Sequence, residues 1–556
     1  MKEEPGSQDG NWRGLPAWGL AVFAALMAFY TVSVCSPFSF DLRYSLYLDT
    51  TNVYWLQTFA DRNILRGDEL VDLYFEPLRT FFTDFTWIWL TSLFTWTVPY
   101  TKGLKALALL ASVAGALMVR RIALLSAAAR AAAVVPVLFV PMFLSMESFF
   151  GVPRVYGALV LLGFAWAAEA GRFWLAPLLA SLCFILYPAA SAGLWAASLL
   201  LPWFYRAEFS APGAWAVYRR ALAAGAALLL LLFSGSGLAK YADLSLGRLA
   251  QFESAKFYNM VSGRLSSLNP LDALGYFALN LNDHTRLYVI LFFLLLLVCG
   301  LGLLVSPRRP ALMPRSVLCL LAGCGAAFVA IYPVHEVSAA RQMVVVVPLA
   351  LVFWASESLL ELADGRRRAA LASAFFPALF LFLHPVFGET LSMRHYSEVY
   401  GFIAARPAGE ISAGYPDSWL MYTLPVFASR PVALWDRTFD QQMLFIRGPE
   451  EFFARRKALL QALYCAAPGA KERLAAEYNV SWLFIEKKYY EPEFLDGVAG
   501  SASPKDKSSA AVIAAAPAPD ACYRELAASA AFSWKNGRTE GFAVPLKGFK
   551  KPQEPR

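Results

Sequence analysis

Apolar runs long enough to cross a bilayer alternate along most of this chain with short polar segments that hold its arginines. A helix needs about 20 predominantly apolar residues to span the hydrocarbon core, with roughly 17–25 tolerated. On that measure, candidate spans fall at residues 16–34, 104–119, 131–146, 155–168, 173–187, 188–203, 221–238, 287–305, 316–332, 343–362 and 371–387. Residues 173–203 form one apolar run of about 31 residues, long for one span and short for two, and it is read as two spans hinged near Tyr187 and Pro188. The span at 343–362 has an acidic end, expected at the surface. The aromatic stretch at 87–96, WIWLTSLFTW, is read as a helix lying in the membrane interface.

Basic residues give the arrangement a direction. Lys and Arg in short loops stay on the cytoplasmic side. Arg13, then Arg120, Arg121 and Arg130, Arg172, Arg206 with Arg219 and Arg220, Arg308 with Arg309 and Arg315, and finally Arg366, Arg367 and Arg368 all fall on one face if there are eleven spans. The chain then enters from the cytoplasm and ends outside. Four segments face outward: a first loop at 37–101, a turn at 147–154, a loop at 239–286 and a turn at 333–342, and the chain beyond Gly388 follows them. The first run exceeds the roughly 7–15 residues of a signal-peptide core and lacks a cleavage site, so it is read as a retained span.

Composition agrees with this reading. Hydrophobic residues make up 58% of the 556, against roughly 45–50% in soluble domains. The net charge of +8 comes from short clusters between apolar runs, which argues against a nucleic-acid partner. Cys35, Cys183, Cys299, Cys319 and Cys324 lie in or beside apolar runs, and no metal-type cysteine spacing occurs. The expected fold is a polytopic α-helical membrane protein of about eleven transmembrane helices over residues 1–388, in a bacterial-type inner membrane.

A small extracytoplasmic α/β domain is expected over residues 389–556. It shows strand patterns at GEISAG from Gly409, RPVALWD from Arg430 and YNVSWLFIEKK from Tyr478, helical periodicity at 450–463, a flexible Ser/Ala/Pro/Lys-rich loop at 501–519, and a hairpin turning at Asn536 and Gly537. Cys465 and Cys522 either pair in an oxidising compartment or remain free thiols.

The candidate chemistry lies in the first outer loop, which carries Asp41, Asp49, Asp61, Asp68, Glu69, Asp72, Glu76 and Asp84 beside the membrane. Charge at that density is costly there unless it is solvated or used. Asp49, then Gly67 with Asp68, then Tyr74, Phe75 and Glu76 follow one another in the order of a known motif series. On these residues the chain resembles the GT-C superfamily of polyprenyl-phosphate-dependent glycosyltransferases, especially the aminoarabinose-transferase and protein-mannosyltransferase branch. The resemblance implies a GT-C-like fold and catalytic roles for Asp49 and Glu76, with Asp41 in reserve. Thr50 stands where that family has the second acid of an Asp-Glu pair.

In the turn YPVHEVSAARQM, Arg341 resembles the late outer-loop arginine that such enzymes use for the lipid phosphate, with His335 and Glu336 beside it; an interfacial snorkelling arginine is the other reading. HEVSA is no HExxH zinc site, because Ala339 takes the fifth position. Arg154 and Lys256 break the positive-inside trend, as phosphate ligands or simply as residues in segments that escape the rule. The implied partners are a polyprenyl-phosphate sugar donor, a glycan, lipid or protein acceptor, and membrane lipids. No cofactor follows from the residues, and a divalent metal stays open. A transporter or flippase of a lipid-linked saccharide, or a non-catalytic envelope scaffold, are the alternatives. A transporter should carry polar residues at mid-membrane, whereas here charge gathers at one surface.

Overall fold

A computed structural model describes residues 45–47, 90, 100–145, 153–234, 286–305, 313–331, 343, 345–363, 366–387, 390–434, 449–500, 504–516, 518–536 and 539–546. Within residues 100–387 the chain is a bundle of α1 (Tyr100–Leu125), α2 (Val135–Ser145), α3 (Pro153–Glu169), α4 (Leu175–Leu186), α5 (Pro188–Phe204), α6 (Ala214–Ser234), α7 (Arg286–Val305), α8 (Arg315–Ile331), α9 (Val346–Leu362), α10 (Arg366–Ser373) and α11 (Phe375–Phe387). Each candidate span from the second to the tenth overlaps one of these helices, and the last, 371–387, is broken at residue 374 between α10 and α11; the first, and the aromatic stretch at 87–96 apart from Leu90, lie outside the described residues.

The helices depart from the apolar runs in length in both directions: α1 extends to 26 residues, whereas α4 keeps 12. Among the described residues α6 alone is long and apolar enough to cross a membrane by length and composition. The expected span at 131–146 shrinks to the 11 residues of α2, preceded by a 3₁₀ turn at Ala129–Ala131. The long run at 173–203 divides where expected. Proline at position 188 disfavours the helical region for the residue before it, and Tyr187 accordingly takes φ −153° and ψ 80° between α4 and α5.

Small residues let the helices touch backbone to backbone. A Cβ on Gly323 of α8 would come within 2.3 Å of the Ala197 nitrogen on α5, so no larger residue fits that crossing. Buried hydroxyls find carbonyls on neighbouring helices: Ser181 Oγ donates to Gly225 O at 2.7 Å and Tyr218 Oη to Ser198 O at 2.5 Å.

Residues 390–546 build a second core around a four-stranded sheet of β3 (Ile411–Ala413), β4 (Val480–Glu486), β5 (Phe532–Lys535) and β6 (Glu540–Pro545), in the order β3-β4-β6-β5. β3 and β4 run parallel; β4–β6 and β5–β6 are antiparallel, the last pair being the hairpin expected at Asn536. Around it lie α12 (Ser397–Ala404), α13 (Trp419–Ala428), α14 (Pro449–Leu463), α15 (Ala470–Glu477), α16 (Pro492–Gly500), α17 (Pro504–Ala514) and α18 (Pro519–Ala528). Two expectations change. The RPVALWD segment contributes one parallel bridge, Ser412 to Val432, in place of a strand; Pro431 lacks the N–H that a further rung would need. The stretch read as a flexible loop is the helix α17, whose alanines favour helix and whose Pro504 suits a first helical position.

Cys465 and Cys522 form a disulfide with Cα atoms 5.7 Å apart, closing a loop of 57 residues. Constraining an unfolded loop of that length is worth about 2–4 kcal/mol. Replacing both cysteines with serine should therefore lower the stability of the residue 390–546 core by that amount, read as a lower guanidinium midpoint. Equal midpoints with and without reductant would show that the bridge constrains nothing.

Candidate functional site

The two ends of the bundle differ in chemistry. At one end two of the clustered arginines, Arg130 and Arg315, are held by carboxylates. Glu169, the last residue of α3, accepts from the Tyr205 hydroxyl at 3.0 Å and from the Ser316 backbone N–H at 2.9 Å. That bond satisfies an orphan donor in the first turn of α8. Arg315 pairs with Glu208 at 3.2 Å. Arg130 is gripped by α9: its Nε and Nη2 each approach Glu357 Oε2 at 2.6 Å, and Nη1 approaches Glu361 Oε1 at 2.7 Å. Spacing of i and i+4 puts both acids on one helix face. In the acidic end of this span the Glu357 side chain is only 2% exposed. Its partner lies 227 residues away in the chain, so the neutralisation is invisible locally.

At the opposite end the helices meet the sheet core. Leu107 near the start of α1 and Tyr156 near the start of α3 are buried in the same cluster as Val480, Phe484 and Trp534. Here also the first loop is tied down. Strand β1 (Ser45–Tyr47) pairs antiparallel with β2 (Thr390–Ser392), with Leu46 opposite Leu391. The chain after β2 is fastened in turn to the sheet. Tyr396 Oη donates to Glu486 Oε1 at 2.5 Å, the Ser418 hydroxyl donates to Glu486 Oε2, and Lys488 Nζ lies 3.1 Å from Oε1. Asn536 in the hairpin turn donates to the His395 carbonyl. Glu486 is 4% exposed at the carboxyl end of β4, and this set of partners satisfies both its oxygens. Burial, followed by the neighbouring Glu486 charge, pushes the Tyr396 hydroxyl above the usual phenol range, so it stays a donor. Tyr415 stacks on Tyr489 at 4.3 Å beside this network, and Arg456, wholly buried, pairs with Asp417 at 3.1 Å and donates to Ser509.

Glu486 was not singled out from the sequence, where it reads as one acid closing an apolar strand. Its place in the site is positional: it anchors the segment carrying β2, and β2 holds β1.

The sequence-derived site residues fall almost entirely outside the described residues. Asp41, Asp49, Glu76, Lys256, His335, Glu336 and Arg341 lie outside the described residues, and Arg154 is the second residue of α3, its side chain outside them. In chain order Asp49 comes two positions after β1, and Arg341 five positions before α9. Among the described residues no group of three or more His, Cys, Asp or Glu is placed to hold a metal ion.

No protein-family model matches the sequence, and neither does any curated protein. Solved structures similar to it include an oligosaccharyltransferase from Archaeoglobus fulgidus, at 13% identity and a TM-score of 0.49 over 88% of this chain and 70% of that one. Another is ArnT from Cupriavidus metallidurans in the apo state, at 13% identity and a TM-score of 0.40 over 96% of this chain and 99% of that one. These are likenesses at low sequence identity. Nothing about substrate or chemistry follows from them.

Proposed function

We propose that this chain is a GT-C-type membrane glycosyltransferase that takes a sugar from a polyprenyl-phosphate donor and transfers it to a glycan, lipid or protein acceptor outside the cytoplasm. Residues 1–388 form its transmembrane domain of eleven spans in a bacterial-type inner membrane, and residues 389–556 its extracytoplasmic domain. The observation that carries the reading is the β1–β2 pairing, because it joins the acidic first loop to the C-terminal core at the end of the bundle away from the arginine clusters. The segments at 147–152 and 332–342, whose flanking helix ends are α2 and α3, and α8 and α9, lead to that same end. A catalytic loop and a late phosphate-binding turn need that common location. Polyprenyl phosphates are proposed as the donor class on Arg341 and the motif order in the first loop; dolichol-phosphate and undecaprenyl phosphate are bound in the solved oligosaccharyltransferase and ArnT.

In the proposed reaction the acceptor hydroxyl oxygen bonds to the anomeric carbon as the bond from that carbon to the lipid phosphate oxygen breaks. The hydroxyl proton passes to the Asp49 carboxylate, and the departing phosphate keeps its electron pair, neutralised by Arg341. Glu76 positions the acceptor. A charge-assisted bond to phosphate is worth roughly 1.5–3 kcal/mol, and the planar guanidinium fork adds a geometry that an ammonium lacks. Arg341→Lys should therefore weaken donor binding about tenfold, and Arg341→Ala more. Donor binding unchanged in Arg341→Ala, measured with a polyprenyl-phosphate sugar in detergent, would remove Arg341 from the site.

Sidedness is checked separately. In a Cys35→Ser background, an impermeant maleimide added outside intact cells should label a cysteine placed at the exposed Ala528. It should reach one placed at the exposed Ser210, among the arginine clusters, only after the membrane is opened. The reverse pattern would overturn the topology.

A further inference from the structure

Between α5 and α6 the chain turns through one helical turn, Arg206–Phe209, and folds around an open cleft of about 760 Å³. Its lining includes Trp203, Arg206, Phe209, Ser210, Gly213 and Trp215. Phe209 is buried, edge-on to Tyr218 with ring centroids 5.0 Å apart, and makes a rigid apolar floor. The walls are different: Trp203 is 67% and Trp215 47% exposed. The Arg206 guanidinium lies over the Trp203 ring, 5.9 Å from its centroid, and forms no ion pair among the described residues.

Among the described residues no carboxylate lines the cleft, and the nearby Glu208 is paired with Arg315. Arg219 and Arg220, exposed in the first turns of α6, likewise form no ion pair among the described residues. Arg206 thus brings a positive charge without an ion-pair partner among the described residues to a concavity with two exposed indoles at its rim, and Arg219 and Arg220 follow in the same helix-turn-helix segment. Indole rings at helix ends settle at the headgroup layer, and basic pockets on the cytoplasmic side suit anionic headgroups.

We propose that this cleft holds the headgroup of an anionic phospholipid of the cytoplasmic leaflet, with Arg206 on the phosphate and Trp203 and Trp215 against the glycerol and upper acyl chains. A free phosphate would satisfy Arg206 but leave both indoles uncovered; a lipid engages all three. The leaflet rests on the membrane orientation proposed above, whereas the headgroup chemistry does not.

Native mass spectrometry of the purified full chain, released from nanodiscs of mixed phosphatidylglycerol and phosphatidylcholine, tests this directly. The parent should retain phosphatidylglycerol in preference. One basic side chain near an anionic surface is worth about five-fold in binding, so Arg206→Ala should lose phosphatidylglycerol about five-fold while Arg206→Lys keeps most of it. Ser210→Glu, which puts a carboxylate into the lining without removing any packed ring, should expel it as well, and covers the case in which Arg206→Ala fails to fold. Excess inorganic phosphate should displace none. Equal retention of the two lipids, retention by a folded Arg206→Ala or Ser210→Glu chain, or displacement by inorganic phosphate would each overturn the proposal. Both faces of the disc carry the lipid, so such a failure leaves sidedness untouched; sidedness falls only on the Ser210 labelling.

Discussion

Asp49→Asn should abolish sugar transfer while leaving the protein folded. The substitution keeps the shape of the side chain and removes the group that accepts the acceptor's proton, and general-base action typically contributes about 100- to 10,000-fold in rate. If Asp49 were only a helix cap or a solvated loop residue, the same change would cost at most about 2 kcal/mol of stability and no chemistry. Rate and melting temperature measured on one preparation separate the two. A folded Asn variant that transfers at the parent rate removes Asp49 as the base; if Glu76→Gln is then the inactive variant, the role passes to Glu76 and the enzyme reading stands. The β1–β2 pairing bears on the design of this experiment, since Asp49 follows β1 by two residues. Substitutions at Glu486 or Tyr396, which fasten the β2 segment, should therefore be avoided as neutral controls.

The largest structural effect should come from Arg130→Ala. That change leaves Glu357, 2% exposed, without the guanidinium that meets it through two nitrogens at 2.6 Å, and deprives Glu361 of the same partner. Removing one member of a buried ion pair costs about 3–5 kcal/mol, because the remaining charge stays desolvated. With the Arg130 side chain 32% exposed, the lower figure of about 3 kcal/mol is expected. Arg130→Met combined with Glu357→Gln and Glu361→Gln removes charge from both sides and should recover most of the loss. Detergent unfolding of the single and combined variants checks both statements. An Arg130→Ala chain as stable as the parent would show that the clamp contributes nothing to the bundle.

What the sequence made legible is local. The division of the 173–203 run followed from a proline whose effect on the preceding residue is steric, the hairpin at Asn536 from turn chemistry, and the central strand β4 from an apolar run rich in β-formers. What stayed hidden depends on partners far along the chain. Ser45–Tyr47 is three residues without a strand pattern and becomes one because Thr390–Ser392 lies beside it. Glu357 is a misplaced acid until Arg130 is known, and Glu486 is unremarkable until Tyr396 and Ser418 converge on it. Helix α17 was a different kind of miss: its composition resembles a linker, while Pro504 at its start and the buried Ser509 and Val512 hold it as a helix against the core. For the candidate site, the sequence supplied the residues and their order, and the structure supplied the anchoring of the loop that carries some of them.

The central claim is that the donor bond is broken and the sugar moved, rather than the lipid-linked sugar carried across the membrane. The most direct measurement reconstitutes the purified chain in liposomes with a polyprenyl-phosphate sugar labelled in both the sugar and the lipid, together with an extract of envelope acceptors, and follows both labels. Release of free polyprenyl phosphate in step with labelled acceptor, lost in Asp49→Asn, is the predicted result. Intact donor moving between leaflets with no polyprenyl phosphate released would contradict the account and make the chain a flippase.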